Sequence, residues 1–221
     1  MAKRRPVSNP LALAVLAFMF ARPMYPYELA TMLRETGKDQ VIKINWGSLY
    51  TVVQNLEKHG LIKVAGTTRQ GGRPERTAYE LTDAGLAEMR DWLRELLSEP
   101  QREYPLFATA LSLIGPLAPE EFVEMLEERL ITLKQGIASL EAELTKAREQ
   151  VPRMFLIESE YLLAIRKAEV AYVTDLLADL SGPMKDEVEA WRKFQQTGEL
   201  PADLEELLAQ STGAQREADQ D

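Results

Sequence analysis

The densest group of chemically able residues is Thr67-Thr68-Arg69-Gln70-Gly71-Gly72-Arg73-Pro74, a basic, glycine-rich stretch with no apolar residue. Glycines beside arginines suit a phosphate-cradling loop. Such a loop must open directly into a helix N-terminus. Here Pro74 and a strand-like run follow, which excludes a nucleotide site and leaves a solvated basic tip that suits a polyanion. His59 is the sole histidine and there is no cysteine. Together these exclude disulfides, thiol nucleophiles, iron–sulfur clusters, thiolate zinc sites and His–His metal pairs. Neither a metal nor a cofactor is expected. His59 sits at a helix end, where an imidazole favours the helix dipole. The pairs Glu120/Glu121, Glu127/Glu128 and Glu141/Glu143 lie off the apolar seam of their helix and read as a solvated face. With no nucleophile–base pair in view, the chain reads as a non-enzyme.

The 221 residues are 45% hydrophobic and 28% charged, which describes a globular chain. The net charge of −9 hides an asymmetry. Residues 1–76 carry twelve Lys/Arg against five Asp/Glu, a net of +7, and residues 77–221 carry fourteen against thirty, a net of −16. A basic front and an acidic back suggest two jobs, the front meeting an anionic partner such as nucleic acid. Lys3, Arg4 and Arg5 before the apolar run Leu11–Phe20 imitate a secretion signal. That run is ten residues, well short of the ~20 that span a bilayer, and no small-x-small cleavage site follows. It is expected to be a buried helix of a cytoplasmic protein, with no membrane partner. The absence of cysteine permits that reducing compartment.

The elements that must position the basic tip follow from periodicity and punctuation. Asn9-Pro10 starts a first helix over 10–21, apolar nearly all round. Arg22-Pro23-Met24-Tyr25-Pro26 breaks it. A second helix covers 27–36 with Gly37 as its cap. A third covers 46–59 and ends at Gly60. Residues 61–64 and 78–81 read as the strands of a hairpin around the basic tip. Thr82 or Asp83 caps a fourth helix with the apolar stripe Leu86, Met89, Trp92, Leu93, Leu96 and Leu97. Residues 99–105 form a linker and 106–114 a short apolar helix. A long helix opens at Pro119 with acids in its first turn. Its seam Leu126, Leu130, Leu133, Ile137, Leu140, Leu144, Ala147, Val151 alternates spacings of four and three, a coiled-coil heptad. Beyond Pro152 a further helix covers 155–180. Residues 183–196 and 203–210 suit short amphipathic helices, and the polar end suits disorder.

Three helices, a strand, a basic tip and a strand make the order of a winged helix-turn-helix, with the third helix in the major groove. At 100° per residue, Leu49, Val52, Val53 and Leu56 form its inward stripe. Gly47, Thr51, Gln54 and Lys58 fall opposite, flanked by Tyr50 and Asn55. That face carries a cation, amides and hydroxyls and no acid, the groups that bond phosphates and base edges. The expected DNA-contacting residues are Ser48, Tyr50, Thr51, Gln54, Asn55 and Lys58 on the helix, and Arg69, Gln70, Arg73 and Arg76 on the wing. The expected dimerisation residues are Leu126, Leu130, Leu133, Ile137, Leu140 and Leu144. Trp92, Tyr104 and Phe107 lie between the two halves of the sequence and are the candidates for an effector pocket, with plain core packing as the alternative for each.

Gly47-Ser48-Leu49-Tyr50, Leu56-Glu57-Lys58-His59-Gly60-Leu61-Ile62, Gly72-Arg73-Pro74 and Tyr79-Glu80-Leu81-Thr82-Asp83-Ala84-Gly85 resemble the PadR family of transcriptional regulators. The resemblance covers roughly residues 10–90 as motif and 119–180 as architecture, in the longer subfamily. It implies a homodimeric winged-helix repressor whose C-terminal helices form an antiparallel coiled coil. Some members release DNA on binding phenolic acids or other small hydrophobic compounds, so a small hydrophobic effector is implied as well. Two motifs depart from the family pattern. Tyr25-Pro26-Tyr27-Glu28 stands for a His-Gly-Tyr-like turn, and Asn55-Leu56 stands for Arg-Leu.

The resulting expectation is a mainly α protein with a small β-hairpin wing. Residues 1–98 form the DNA-binding domain, 99–118 a linker with a short helix, 119–182 a coiled-coil dimerisation domain and 183–221 a C-terminal extension. Its partners are double-stranded DNA, a second copy of itself and a small effector. A MarR-like arrangement fits less well, because only nine residues precede the first helix. The rival from another class is a winged helix that docks proteins rather than DNA.

Overall fold

A computed structural model describes residues 5–68 and 76–199. The chain divides into two units, Met1–Glu103 and Tyr104–Asp221.

The first unit is organised around α1 (Pro10–Met19), whose N-terminus is capped by the Asn9 side chain accepting from the Leu11 amide at 2.9 Å. Leu11, Ala12, Ala14, Val15, Leu16 and Met19 are all buried, so most sides of the helix are enclosed. Around it pack α2 (Pro26–Glu35), α3 (Leu49–Lys58), the strands β1 (Ile62–Thr68) and β2 (Arg76–Leu81), and α4 (Asp83–Ser98). Glu28 ties the start of α2 by accepting from the Tyr25 amide at 2.9 Å. Gly37 ends it with φ of 65°, a left-handed conformation open to glycine.

The hairpin is longer than its apolar residues suggested. Pairing runs antiparallel from Ile62↔Leu81 to Thr68↔Arg76, with a register shift between Val64 and Gly66. Thr67, Thr68 and Arg76 therefore belong to the ladder and not to the tip. The bulge explains the misreading, since it interrupts the alternation that marks a strand. Met24 adds a one-residue edge: its amide and carbonyl each bond Tyr79 at 2.9 Å. The tip itself, including Arg69, Gln70 and Arg73, lies outside the described residues.

Thr82 joins three elements at one point. Its hydroxyl accepts from the Gly85 amide at 3.0 Å to cap α4 and donates to the Gly60 carbonyl at 2.7 Å, beyond the end of α3. Its amide donates to the Leu61 carbonyl at 3.1 Å. The expected stripe on α4 is buried only in part: Met89 and Trp92 are enclosed, Leu93 and Leu96 are open, and Leu97 is 85% exposed. A helix of sixteen residues outruns the single layer beneath it.

The second unit holds α5 (Leu106–Leu111), α6 (Pro119–Arg148), α7 (Ile157–Ser181) and α8 (Lys185–Thr197). α5 stops three residues before the expected end. α6 and α7 form an antiparallel hairpin around Pro152 and a turn of 3-10 helix at Arg153–Phe155. Leu126 shares a core with Val173 and Leu180 at one end, and Leu140 and Leu144 share one with Leu156 at the other. Arg129–Glu169 and Lys167–Glu141 span the pair. The expected dimerisation residues divide between this packing and a partly open edge. Leu126, Leu140 and Leu144 are buried against their own chain, with Leu130, Leu133 and Ile137 half-buried between them. A heptad seam requires a facing helix, and the return after Pro152 supplies it from the same chain.

Among the described glycines the closest approach is at Gly85, where an added Cβ would lie 1.9 Å from the Leu61 carbonyl oxygen. Gly85→Ala should lower the unfolding free energy by about 1–3 kcal/mol, measured by urea titration of circular dichroism. Unchanged stability would mean that the strand–helix junction gives way freely.

Candidate nucleic-acid interface

α3 enters its path through a tight local network. The Asn45 side chain accepts from the Gly47 amide at 3.1 Å, and the Ser48 hydroxyl donates to the Asn45 carbonyl at 2.7 Å. A single 3-10 turn, Trp46–Ser48, leads directly into the helix. Leu49, Val52, Val53 and Leu56 turn into the core. Tyr50, Thr51, Gln54, Asn55 and Lys58 are all exposed, so helical geometry and packing present one continuous polar face. Ser48 differs from the others: it is half-buried and its hydroxyl proton is committed to the turn. His59 lies at the C-terminal end, its amide bonded to the Asn55 carbonyl.

Glu57 is the only acid on α3. The Glu57 carboxylate lies close to the Tyr79 hydroxyl of β2. Burial raises the Tyr79 pKa above its ordinary value, and the negative charge of Glu57 raises it further. Glu57 is half-buried, unlike the exposed residues of the polar face.

Beside α3, cations rest on aromatic rings. The Arg76 guanidinium lies 5.1 Å from the Tyr27 ring centre, and Tyr27 stacks on Tyr25 at 5.6 Å. Arg76 thus sits in the last ladder pair before the tip, with its guanidinium against Tyr27 of α2. Arg34 lies 4.0 Å from the Trp46 ring centre. Sequence reasoning did not find Tyr25, Tyr27, Arg34 or Trp46. Aromatic–cation partners far apart in the chain follow no helical or strand period, so spacing holds no signal for them.

Arg5, read as one residue of a basic leader, is buried instead. It pairs with Glu88 at 2.6 Å, with Asp91 at 3.2 Å and with Glu95, and lies 5.3 Å from the Trp92 ring centre. The carboxylates raise its pKa against the opposing effect of burial, the larger single influence. Trp92 therefore has its place in the core of the first unit. Phe107 is half-buried in the second unit with the Arg129 guanidinium 3.8 Å from its ring centre, and Tyr104 is exposed. The three candidate effector residues are not drawn into one cluster within either unit. Among the described residues no group of three or more His, Asp or Glu is placed to hold a metal, and no helix is long and apolar enough to cross a membrane.

Residues 15–91 match the transcriptional regulator PadR-like family. The fold is similar to that of Bacillus subtilis PadR, crystallised in complex with operator DNA: 22% identity, 77% of this chain and 98% of that chain covered, TM-score 0.64. The same protein in complex with p-coumaric acid matches at 20% identity over the same shares, TM-score 0.64. A PadR-like transcriptional regulator from Bacillus cereus matches at 16% identity, with 78% and 99% covered and a TM-score of 0.55. No curated protein sequence matches the chain.

The folded protein holds the Tyr79 proton more tightly than the unfolded chain does. The stability tied to it is complete below about pH 10, the ordinary tyrosine pKa, and is lost as pH rises past the folded value. Glu57→Gln should move the Tyr79 ionisation part of the way down, because burial remains. Tyrosinate absorbance compared with a Tyr79→Phe chain measures it, and an unmoved midpoint would remove Glu57 as a cause.

Proposed function

We propose that this chain, a member of the transcriptional regulator PadR-like family through residues 15–91, binds DNA sequence-specifically as a homodimer and represses transcription. The observation that carries the reading is the outward face of α3: Tyr50, Thr51, Gln54, Asn55 and Lys58 exposed together, with the one acid of the helix half-buried beside Tyr79. Amides and hydroxyls read base edges, and cations hold phosphates. Arg69, Gln70 and Arg73 at the tip and Arg76 at its base supply the cations of a wing, suited to backbone or minor-groove contact. Repression is steric, the dimer occupying an inverted repeat across a promoter.

A second copy has an apolar face to cover beside the half-buried Leu130, Leu133 and Ile137 of the α6 seam. Ile157, Tyr161, Ile165 and Tyr172 are all exposed and fall within about 80° of one another at 100° per residue. Val173 and Leu180, which pack against α6, lie roughly a third of a turn away. This outer stripe of α7, with Ile131 of α6 also open, is the surface a second copy would cover. Release by a small hydrophobic or phenolic effector completes the reading. Such a compound must bind the DNA-free form more tightly than the bound form. p-Coumaric acid, which crystallises with Bacillus subtilis PadR, is the first compound to titrate.

Gln54→Ala should weaken binding to a selected operator by about 1–3 kcal/mol and relax preference at one or two base pairs. Titrations on operator and scrambled duplexes measure this. Unchanged affinity and preference would show that α3 does not read bases through this face. The affinity of the native chain should fall steeply with salt between about 50 and 200 mM, and a flat response would favour protein docking.

Ile165→Glu should give a folded monomer in sedimentation with weakened operator binding. Leu140→Glu should unfold the helical unit instead. A dimer that survives Ile165→Glu would move the interface off α7.

A further inference from the structure

Arg34 lies in the last turn of α2 and is exposed, and Trp46 opens the 3-10 turn that leads into α3. A distance of 4.0 Å from guanidinium carbon to ring centre is well inside the ~6 Å at which a cation is attracted to an aromatic face. The contact closes a long connection. Residues 36–48 separate α2 from α3, whereas the turn of a compact helix-turn-helix takes about 3–4 residues. A connection of that length does not by itself decide where the N-terminal end of α3 points. The Arg34–Trp46 contact ties that end to α2.

The stacked guanidinium has a second property. Among the described residues the Arg34 side chain makes no hydrogen bond or ion pair. A guanidinium carries five N–H donors in a rigid plane, and stacking uses its face and leaves its edge. Meanwhile α3 carries one cation, Lys58, at its last residue. Its N-terminal end, the end that reaches the bases in this class of motif, has none of its own.

We propose that Arg34, held flat against Trp46, contacts a backbone phosphate of duplex DNA beside the N-terminal end of α3. Arg34 supplies the charge and Trp46 positions it. The inference rests on the DNA-binding reading above. It adds a contact on α2, outside both the recognition helix and the wing.

The test uses the full-length chain and a duplex selected by the native protein from a random pool, titrated at several salt concentrations. Arg34→Met and Arg34→Gln should each weaken binding several-fold and lower the salt slope by about 0.9, the value for one phosphate contact. The loss should be similar on scrambled DNA. Arg34→Lys should restore the slope and only part of the affinity. Trp46→Leu should weaken binding while keeping the slope, because the charge remains and its orientation is lost. Circular dichroism should be unchanged in all four. A native slope in both Arg34→Met and Arg34→Gln overturns the proposal, whether or not affinity falls, since a purely structural clamp would lower affinity without changing the charge neutralised. Absence of salt-dependent DNA binding by the native chain would instead overturn the DNA-binding reading, and this contact with it.

Discussion

The first unit depends on one constraint: α1 has no polar side. A helix of ten residues that is apolar nearly all round must be enclosed by other elements. α3, α4 and β2 each pack against it. The inner stripe of α3 is thereby committed, and the remaining face of that helix has to be polar and outward. Presentation of Gln54 and Lys58 to solvent is thus a by-product of enclosing Leu11, Val15 and Leu16. The same core receives Met89 and Trp92 of α4, so the helix following the hairpin is anchored to the element that α3 packs on.

Polar contacts then settle what hydrophobic packing leaves open. The Thr82 hydroxyl caps α4 and bonds the chain just beyond α3, so the hairpin, α3 and α4 meet at one residue. Glu57, the only acid on α3, is half-buried beside Tyr79. The buried Arg5 pairs with three carboxylates of α4, two of them largely enclosed and Asp91 half exposed. A buried guanidinium is stable only where such partners surround it. Arg5 is a charge that composition alone would assign to the surface, so the count of Lys and Arg in residues 1–76 overstates the cations available to an anionic partner.

The helical unit follows a different logic. A heptad seam specifies that a helix will face another helix, without specifying which chain provides it. Here the turn at Pro152 returns α7 along α6, and the seam closes internally. Apolar residues remain open along the outer face of α7, where Tyr161 and Tyr172 join Ile157 and Ile165. Tyrosines suit a surface that is covered on one side and wet at its edge.

The order of the elements, the inward stripe of α3, the Thr82 cap and the heptad of α6 were all determined by local pattern. Helical period, capping chemistry and strand alternation act over a few residues and need no knowledge of distant chain. The length of the hairpin escaped, because a bulge breaks the alternation by which a strand is read. The partner of the α6 seam escaped as well: the same spacing serves a hairpin and a dimer. Arg5 among its carboxylates, Arg34 on Trp46, Arg76 on Tyr27 and Tyr79 on Glu57 were decided by tertiary structure alone. Their partners lie between 12 and 90 residues apart, and no periodic rule operates over such separations. Only the packing of helices on α1 brings those side chains within reach.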